Sequence, residues 1–329
     1  MSADADMGRP KIAILDDYQS VALAMADWSA LAGRAQITPF HDHLSDADAL
    51  AARLAPFEVL CVMRERTPLP RALIERLPRL RLIVSTGRRN ASIDLKAAAE
   101  HEIVVAPTGY SSTSTVELTW GLILAASRHI ASENARFRAG FWQETLGRTL
   151  KGTTLGVLGL GNIGSEIARL GRAFGMEVLA WSQNLTAERA QAAGARLVGK
   201  DELLAGADVL SIHLVLSART RGLIGAAELA RMKPSALLVN TARGPIVDEA
   251  ALVAALRENR IFGAALDVFD EEPLPQGHPF RTLPNVLATP HLGYVADSVY
   301  RIFYDDAVAA ILAFFDGRPL PYPALTPQG

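Results

Sequence analysis

The segment TTLGVLGLGNIGSEIARLGRAFG, residues 153–175, joins an apolar strand to an amphipathic helix through a glycine-rich turn. The strand, Thr154–Leu158, runs into Gly159, and the helix, Ile163–Phe174, carries Ile163, Ile167 and Leu170 on one face. The pattern Gly159-Leu-Gly161-Asn-Ile-Gly164 is weak alone; between a strand and a helix it is the fingerprint of a dinucleotide site. Gly159 permits the tight turn, Gly161 lets backbone N–H groups approach a pyrophosphate, and Gly164 lets the helix pack close to the strand. The helix N-terminus favours the diphosphate charge.

Outward from this turn the chain alternates short aliphatic runs with Ala-rich stretches. Upstream, strands are expected at Lys11–Asp16, Gln36–His41, Glu58–Met63, Arg81–Thr86 and Glu102–Ala106, with helices at Asp46–Ala55, Pro70–Arg76 and Leu95–His101. Downstream, strands are expected at Glu177–Trp181, Asp208–Leu214, Ala236–Thr241, Gly263–Phe269 and Val286–Thr289, with a helix at Glu249–Glu258. Such alternation predicts parallel, doubly wound sheets. Thr115–Ala139 reads as one extended helix that interrupts the rhythm. Its Leu118, Trp120, Leu122, Ile123 and Leu124 make it apolar enough to pack on a second subunit. A second long helix, Val295–Phe315, precedes the Pro-rich tail RPLPYPALTPQG and is expected to return to the first domain.

The chain has 329 residues, half of them hydrophobic, a length that suggests about two domains. Lys and Arg number 33 against 35 Asp and Glu, for a net charge of −2, which argues against a generic nucleic-acid or membrane-surface binder. One cysteine, Cys61, excludes an internal disulfide and a cysteine-rich zinc site. The start, MSADADMGRP, lacks the apolar core of a signal peptide, and no apolar run is long enough to span a membrane. A soluble cytoplasmic protein is expected, with no metal.

The strand after the fingerprint ends at Ser182, about 20 residues on, where an Asp or Glu would accept from an adenosine 2′-hydroxyl and repel a 2′-phosphate. The serine leaves NAD and NADP both open. Three polar groups follow later strands: Arg243 in NTARG, Glu272 in DVFDEEP and His291 in TPHLG. Open parallel sheets bind ligands outside the carboxyl ends of their strands, so these three and the glycine turn collect on one edge. Reduction of a 2-oxo acid needs a hydride donor, a proton donor and a carboxylate clamp. A histidine moves protons near pH 7, a carboxylate holds its tautomer, and an arginine grips a carboxylate bidentately.

The chain resembles the D-2-hydroxyacid dehydrogenase family, which includes D-3-phosphoglycerate dehydrogenases and glyoxylate/hydroxypyruvate reductases. The resemblance runs from Arg64-Glu-Arg-Thr67 through Gly87-Arg-Arg-Asn-Ala-Ser-Ile-Asp94, Val116-Glu-Leu118 and the fingerprint to the three motifs above. It implies an α/β chain of two doubly wound parallel-sheet domains: a Rossmann cofactor domain, 109–293, inserted in a flavodoxin-like substrate domain, 1–108 and 294–329. It implies Arg243, Glu272 and His291 as catalytic residues. The cofactor contacts it implies come from Gly159, Gly161, Asn162, Ile163, Gly164, Ser182, His213 and Thr220, then Thr241, Ala242, Asp267, His291 and Gly293, with Asp267 toward the nicotinamide carboxamide. Substrate contacts would come from Arg64, Gly87, Arg88, Arg89 and Arg243. A small 2-oxo or 2-hydroxy acid, NAD or NADP, and a homodimer follow, without nucleic-acid or membrane partners.

Two departures stand out. Many members carry Gly-x-Gly where this chain has Gly87-Arg88-Arg89, and the acid at Ser182 is missing. The chain also ends soon after its last helix, without the regulatory domain some phosphoglycerate dehydrogenases carry. Formate dehydrogenases pair their histidine with Gln rather than Glu272. A nucleotide-sensing binding protein of the same fold, like the C-terminal-binding corepressors, is the alternative function. Gly194–Asp201 falls short of a P-loop: it lacks the final hydroxyl, and its apparent strand lies inside it. His41-Asp-His43 lacks a third metal ligand.

Overall fold

The computed structural model describes residues 8–327. The polar start Met1–Met7 and the last two residues of the tail lie outside the described residues. The chain divides into two compact units: one ends at Ser111 and resumes at Ala296, and the other is Ser112–Val295.

The first unit contains β1 (Lys11–Ile14), β2 (Gln36–Pro39), α1 (Ala47–Leu54), β3 (Val59–Val62), α2 (Arg71–Ile74), β4 (Leu82–Ser85), α3 (Leu95–Glu100) and β5 (Val104–Pro107). Its sheet is parallel in the order β2-β1-β3-β4-β5, the flavodoxin-like arrangement. In β3 and β4 every residue is buried, as in a sheet covered on both faces. Carboxylates start the helices: Asp46 accepts from Ala49 N and Asp94 from Ala97 N, each at 2.8 Å. The helix Asp297–Phe315 belongs to this unit and buries Phe303, Tyr304 and Ile311. Asp306 on that helix accepts from Gly109 N at 2.7 Å. The tail then runs back, and Leu325 N donates to Val105 O of β5 at 2.8 Å. Cys61 lies in the core, where burial pushes its thiol pKa up to about 12.

The second unit opens with α4 (Thr113–Ser127) and α5 (Ile130–Arg138) and continues through β6 (Thr154–Leu158), α6 (Asn162–Ala173), β7 (Glu177–Trp181), α7 (Ala187–Ala192), β8 (Arg196–Leu197), α8 (Lys200–Gly206) and β9 (Val209–Ile212). It closes with α9 (Ala226–Arg231), β10 (Leu237–Asn240), α10 (Glu249–Arg257), β11 (Gly263–Leu266) and β12 (Val286–Ala288). The parallel sheet runs β12-β11-β10-β9-β6-β7-β8. Strand order reverses between β6 and β9, so a crevice opens where those strands end.

Two expectations are corrected. The single helix over Thr115–Ala139 is two helices, parted at His129, which sits in the left-handed region at φ 53°. Trp120, Leu122 and Ile123 are buried within this unit's own core, so these three are not available to a second subunit; Leu118 and Leu124 are partly buried against the same core. Exposed apolar side chains of this region are Ile130 and Phe137 on α5 and, beyond it, Phe141, Trp142 and Leu146. The short helices α7, α8 and α9 add to the expected elements. Among the described residues, no helix is long and apolar enough to cross a membrane.

Candidate active site

All strands of a parallel sheet point one way, so the residues that follow them share an edge. In the second unit this edge holds the glycine turn after β6, Ser182 after β7, His213 after β9, Thr241-Ala242-Arg243 after β10, Asp267 after β11, and His291 and Gly293 after β12. Glu272 lies six residues beyond the end of β11.

The turn is built by close approaches. Gly159 has φ +104°, and a Cβ there would meet His213 O at 2.7 Å. A Cβ on Gly164 would collide with Gly159 O. Gly161 differs: it is the N-cap of α6, offers no side chain to the helix's first N–H groups, and has open space where a Cβ would point. An open approach to a helix N-terminus lined by Asn162 and Ile163 fits a dinucleotide pyrophosphate. His213 presents no positive charge beside it: burial pushes its pKa down to about 3, and Nε2 pairs with Ser211 Oγ at 2.8 Å. Ser182 is half-buried directly after β7. The Thr220 hydroxyl is committed within its own loop, donating to Val215 O at 2.7 Å and accepting from Ser217 N at 2.8 Å.

The proton-handling geometry rests on His291. Its Nδ1 donates to Glu272 Oε2 at 2.6 Å, which fixes a proton on Nδ1. Glu272 Oε1 accepts from Phe269 N at 2.9 Å, which holds the carboxylate from its other side. His291 itself has φ 54°, an uncommon conformation for a residue with a Cβ. A buried carboxylate holds the turn in that shape. Asp267 is 1% exposed and accepts from Thr289 Oγ1 at 2.6 Å, Leu292 N at 2.7 Å and Gly293 N at 2.8 Å. A carboxylate has about four acceptor sites, so one remains for a ligand. Burial raises the Asp267 pKa above the usual carboxylate range, and the three donors oppose that shift.

Asn240, 1% exposed at the end of β10, shapes the arginine turn. Its Oδ1 accepts from Ala242 N at 3.0 Å and its Nδ2 donates to Arg243 O at 2.9 Å, while Arg243 Nη1 donates to Ala242 O at 2.7 Å. Sequence reasoning passed over three hydroxyls on α4. Ser114 and Thr115 donate to Gly293 O at 2.8 and 2.9 Å. The one proton of Thr119 goes to Thr115 O at 2.7 Å, so Thr241 must be the donor in its 2.8 Å pair with Thr119. Thr115 and Thr119, four residues apart and so on one face of α4, were the available signal.

In the first unit Arg64 follows β3 and Gly87-Arg88-Arg89 follows β4, again on the carboxyl edge. Arg64 N donates to Thr86 Oγ1 at 2.8 Å, and its guanidinium lies 5.2 Å from the Tyr110 ring centroid. Gly87 N donates to Thr108 Oγ1 at 2.7 Å, and buried Asn90 donates to Arg64 O at 2.6 Å. Between these two pinned ends, Arg88 and Arg89 project into solvent. His41 and His43 engage Asp17 and Asp16 respectively, and no cluster of three metal-capable side chains occurs among the described residues.

A doubly wound sheet with a dinucleotide turn and a histidine–carboxylate pair on the same edge belongs to the class of nicotinamide-linked dehydrogenases. Residues 120–293 match the family model described as D-isomer specific 2-hydroxyacid dehydrogenase, NAD binding domain. A glyoxylate reductase of Aeropyrum pernix is 40% identical over 259 residues, covering 76% of this chain and 77% of its own length. A D-3-phosphoglycerate dehydrogenase of Methanocaldococcus jannaschii is 41% identical over 251 residues, covering 75% of this chain; the match spans only 47% of that relative. The crystal structure of a phosphoglycerate oxidoreductase from Vibrio cholerae superposes with a TM-score of 0.90 at 41% identity, covering 94% of this chain and 99% of that one. The chain belongs to the D-isomer specific 2-hydroxyacid dehydrogenase family and is an NAD(P)-dependent oxidoreductase.

Proposed function

We propose that the protein interconverts a small 2-oxo acid and the corresponding D-2-hydroxy acid, a glyoxylate, hydroxypyruvate or phosphohydroxypyruvate type of substrate. The 2.6 Å His291–Glu272 pair carries this reading. The dinucleotide, when bound, supplies the hydride that reduces the carbonyl carbon. His291 Nε2 gives its proton to the carbonyl oxygen as charge develops there, and the same nitrogen removes the hydroxyl proton in reverse. Glu272 keeps the imidazole oriented and balances its charge. Arg243 grips the substrate carboxylate, with Arg64 and the Gly87–Arg89 loop of the first unit as further contacts. The second unit holds the dinucleotide: the uncapped start of α6 takes the pyrophosphate, Ser182 the adenosine ribose, and the free acceptor site of Asp267 the carboxamide.

His291→Asn should lower turnover of 2-oxo acids by about 10²–10⁴-fold, the worth of positioned proton transfer, while dinucleotide binding followed by fluorescence is retained. Undiminished turnover would overturn the assignment. Turnover by the wild type would also separate this reading from that of a nucleotide-sensing binding protein.

A homodimer and a cytoplasmic location complete the reading. Trp142 and Leu146 are 75% and 93% exposed, and such apolar side chains following α5 favour burial against a second copy. Sedimentation should show a dimer at micromolar concentration, and Trp142→Glu with Leu146→Glu should yield monomers. The single, buried cysteine suits a reducing compartment.

A further inference from the structure

The second unit contains another histidine–carboxylate pair. Glu249, the first residue of α10, accepts from His278 Nε2 at 2.9 Å. His278 caps the 3-10 turn Pro279–Arg281, its Nδ1 accepting from Phe280 N at 3.2 Å. Both ring nitrogens are thus committed: Nε2 carries the hydrogen and Nδ1 is the bare acceptor. The other oxygen of Glu249 accepts from Asp270 N at 3.4 Å. One carboxylate therefore ties together the two ends of the segment Asp270–His278, and Glu272 lies inside that segment. Arg281 closes it further, donating to Leu274 O at 2.6 Å and Pro275 O at 2.9 Å. The ring of His278 lies 4.8 Å from Phe280, which in turn lies 6.3 Å from Phe269, the residue whose N–H holds Glu272 Oε1.

We infer that Glu249 and His278 are positioning residues for proton transfer, holding the chain on both sides of Glu272 so that its carboxylate meets Phe269 N–H and His291 Nδ1 together. The inference rests on the role proposed for His291. Glu249 and His278 touch neither substrate nor dinucleotide in this scheme; they act through Glu272. A carboxylate displaced by an ångström lets the imidazole turn, and misplacement of that size costs rate rather than affinity.

The test compares Glu249→Ala and His278→Asn with Glu249→Gln. Asparagine keeps the cap on Phe280 N but is too short to reach Glu249; glutamine at 249 keeps an acceptor for His278. In steady-state reduction of glyoxylate, Glu249→Ala and His278→Asn should each lower kcat at least about 10-fold with KM within twofold, Glu249→Gln should restore most of the rate, and the double variant should lose no more than either single one. In proton NMR of the protein alone, the downfield Nδ1 proton of His291 should weaken or shift in the first two variants and persist in the third. Unchanged kcat and an unchanged Nδ1 resonance in folded Glu249→Ala or His278→Asn would overturn the inference, as would additive losses or a rise in KM at constant kcat. Wild-type protein inactive on every 2-oxo acid would overturn the proposed function instead, and the NMR comparison would still decide the positioning.

Discussion

The loops on the carboxyl edges of the two sheets are built in opposite ways. In the second unit, Gly159–Gly164 works by what is missing: two glycines sit where a Cβ would strike the backbone, and the third leaves the start of α6 bare. In the first unit, Gly87–Asn90 works by display: its ends are pinned by Thr108, Arg64 and Ser85, and two guanidinium groups stand out between them. A backbone cradle is nearly independent of which residues surround it, so it can be read from glycine spacing. A pair of displayed cations takes its meaning from the ligand, so its role must be measured.

The comparison breaks first at the glycines. Gly164→Ala forces a Cβ into the Gly159 carbonyl and should cost about 1–3 kcal/mol of stability, read as a lowered Tm, along with most dinucleotide affinity. Gly161→Ala has room in the protein itself, so Tm should hold while dinucleotide affinity falls about tenfold. Equal effects at the two positions would mean that the open space before α6 is not where the pyrophosphate lies.

A smaller effect is expected at Ser182. An aspartate there would face a 2′-phosphate at about 1–4 kcal/mol of repulsion. Ser182→Asp should therefore depress kcat/KM with NADPH at least about fivefold and leave NADH nearly unaffected, and the wild type should use both. Parallel losses with both dinucleotides would remove Ser182 from the ribose site. The smallest effect is expected from the displayed cations. Arg88→Gln with Arg89→Gln should raise KM for a 2-oxo acid a few-fold, with a weaker salt dependence and unchanged dinucleotide affinity. A change in dinucleotide affinity instead would show that the two loops do not divide the labour as proposed.

The strands were legible because parallel sheets bury both faces: VLCV, LIVS and LLVN leave no polar alternation to misread. The six-residue helices α7 and α9 span fewer than two turns, too little for a helical period to give their bounds. The break at His129 carries neither glycine nor proline, so no local signal announced it. At the candidate site, Arg243, Glu272 and His291 were conspicuous because each follows an apolar run and bears a reactive group. Their supports were not. Phe269 acts through its backbone N–H, Asn240 through a turn, and Thr119 through a hydroxyl on a helix that otherwise reads as core. Such contacts depend on segments distant in sequence meeting in space.

The tail contact at Val105 bears on how the protein keeps its own copies apart. A five-stranded sheet leaves two outer strands, β2 and β5, whose unpaired backbone groups invite extension by another chain. At β2 the strand finishes on Pro39, which has no N–H to offer. At β5 the strand likewise finishes on Pro107, and Leu325 already occupies the Val105 carbonyl. The Pro-rich segment beyond the last helix thus occupies part of the edge that a second chain would need in order to extend the first sheet.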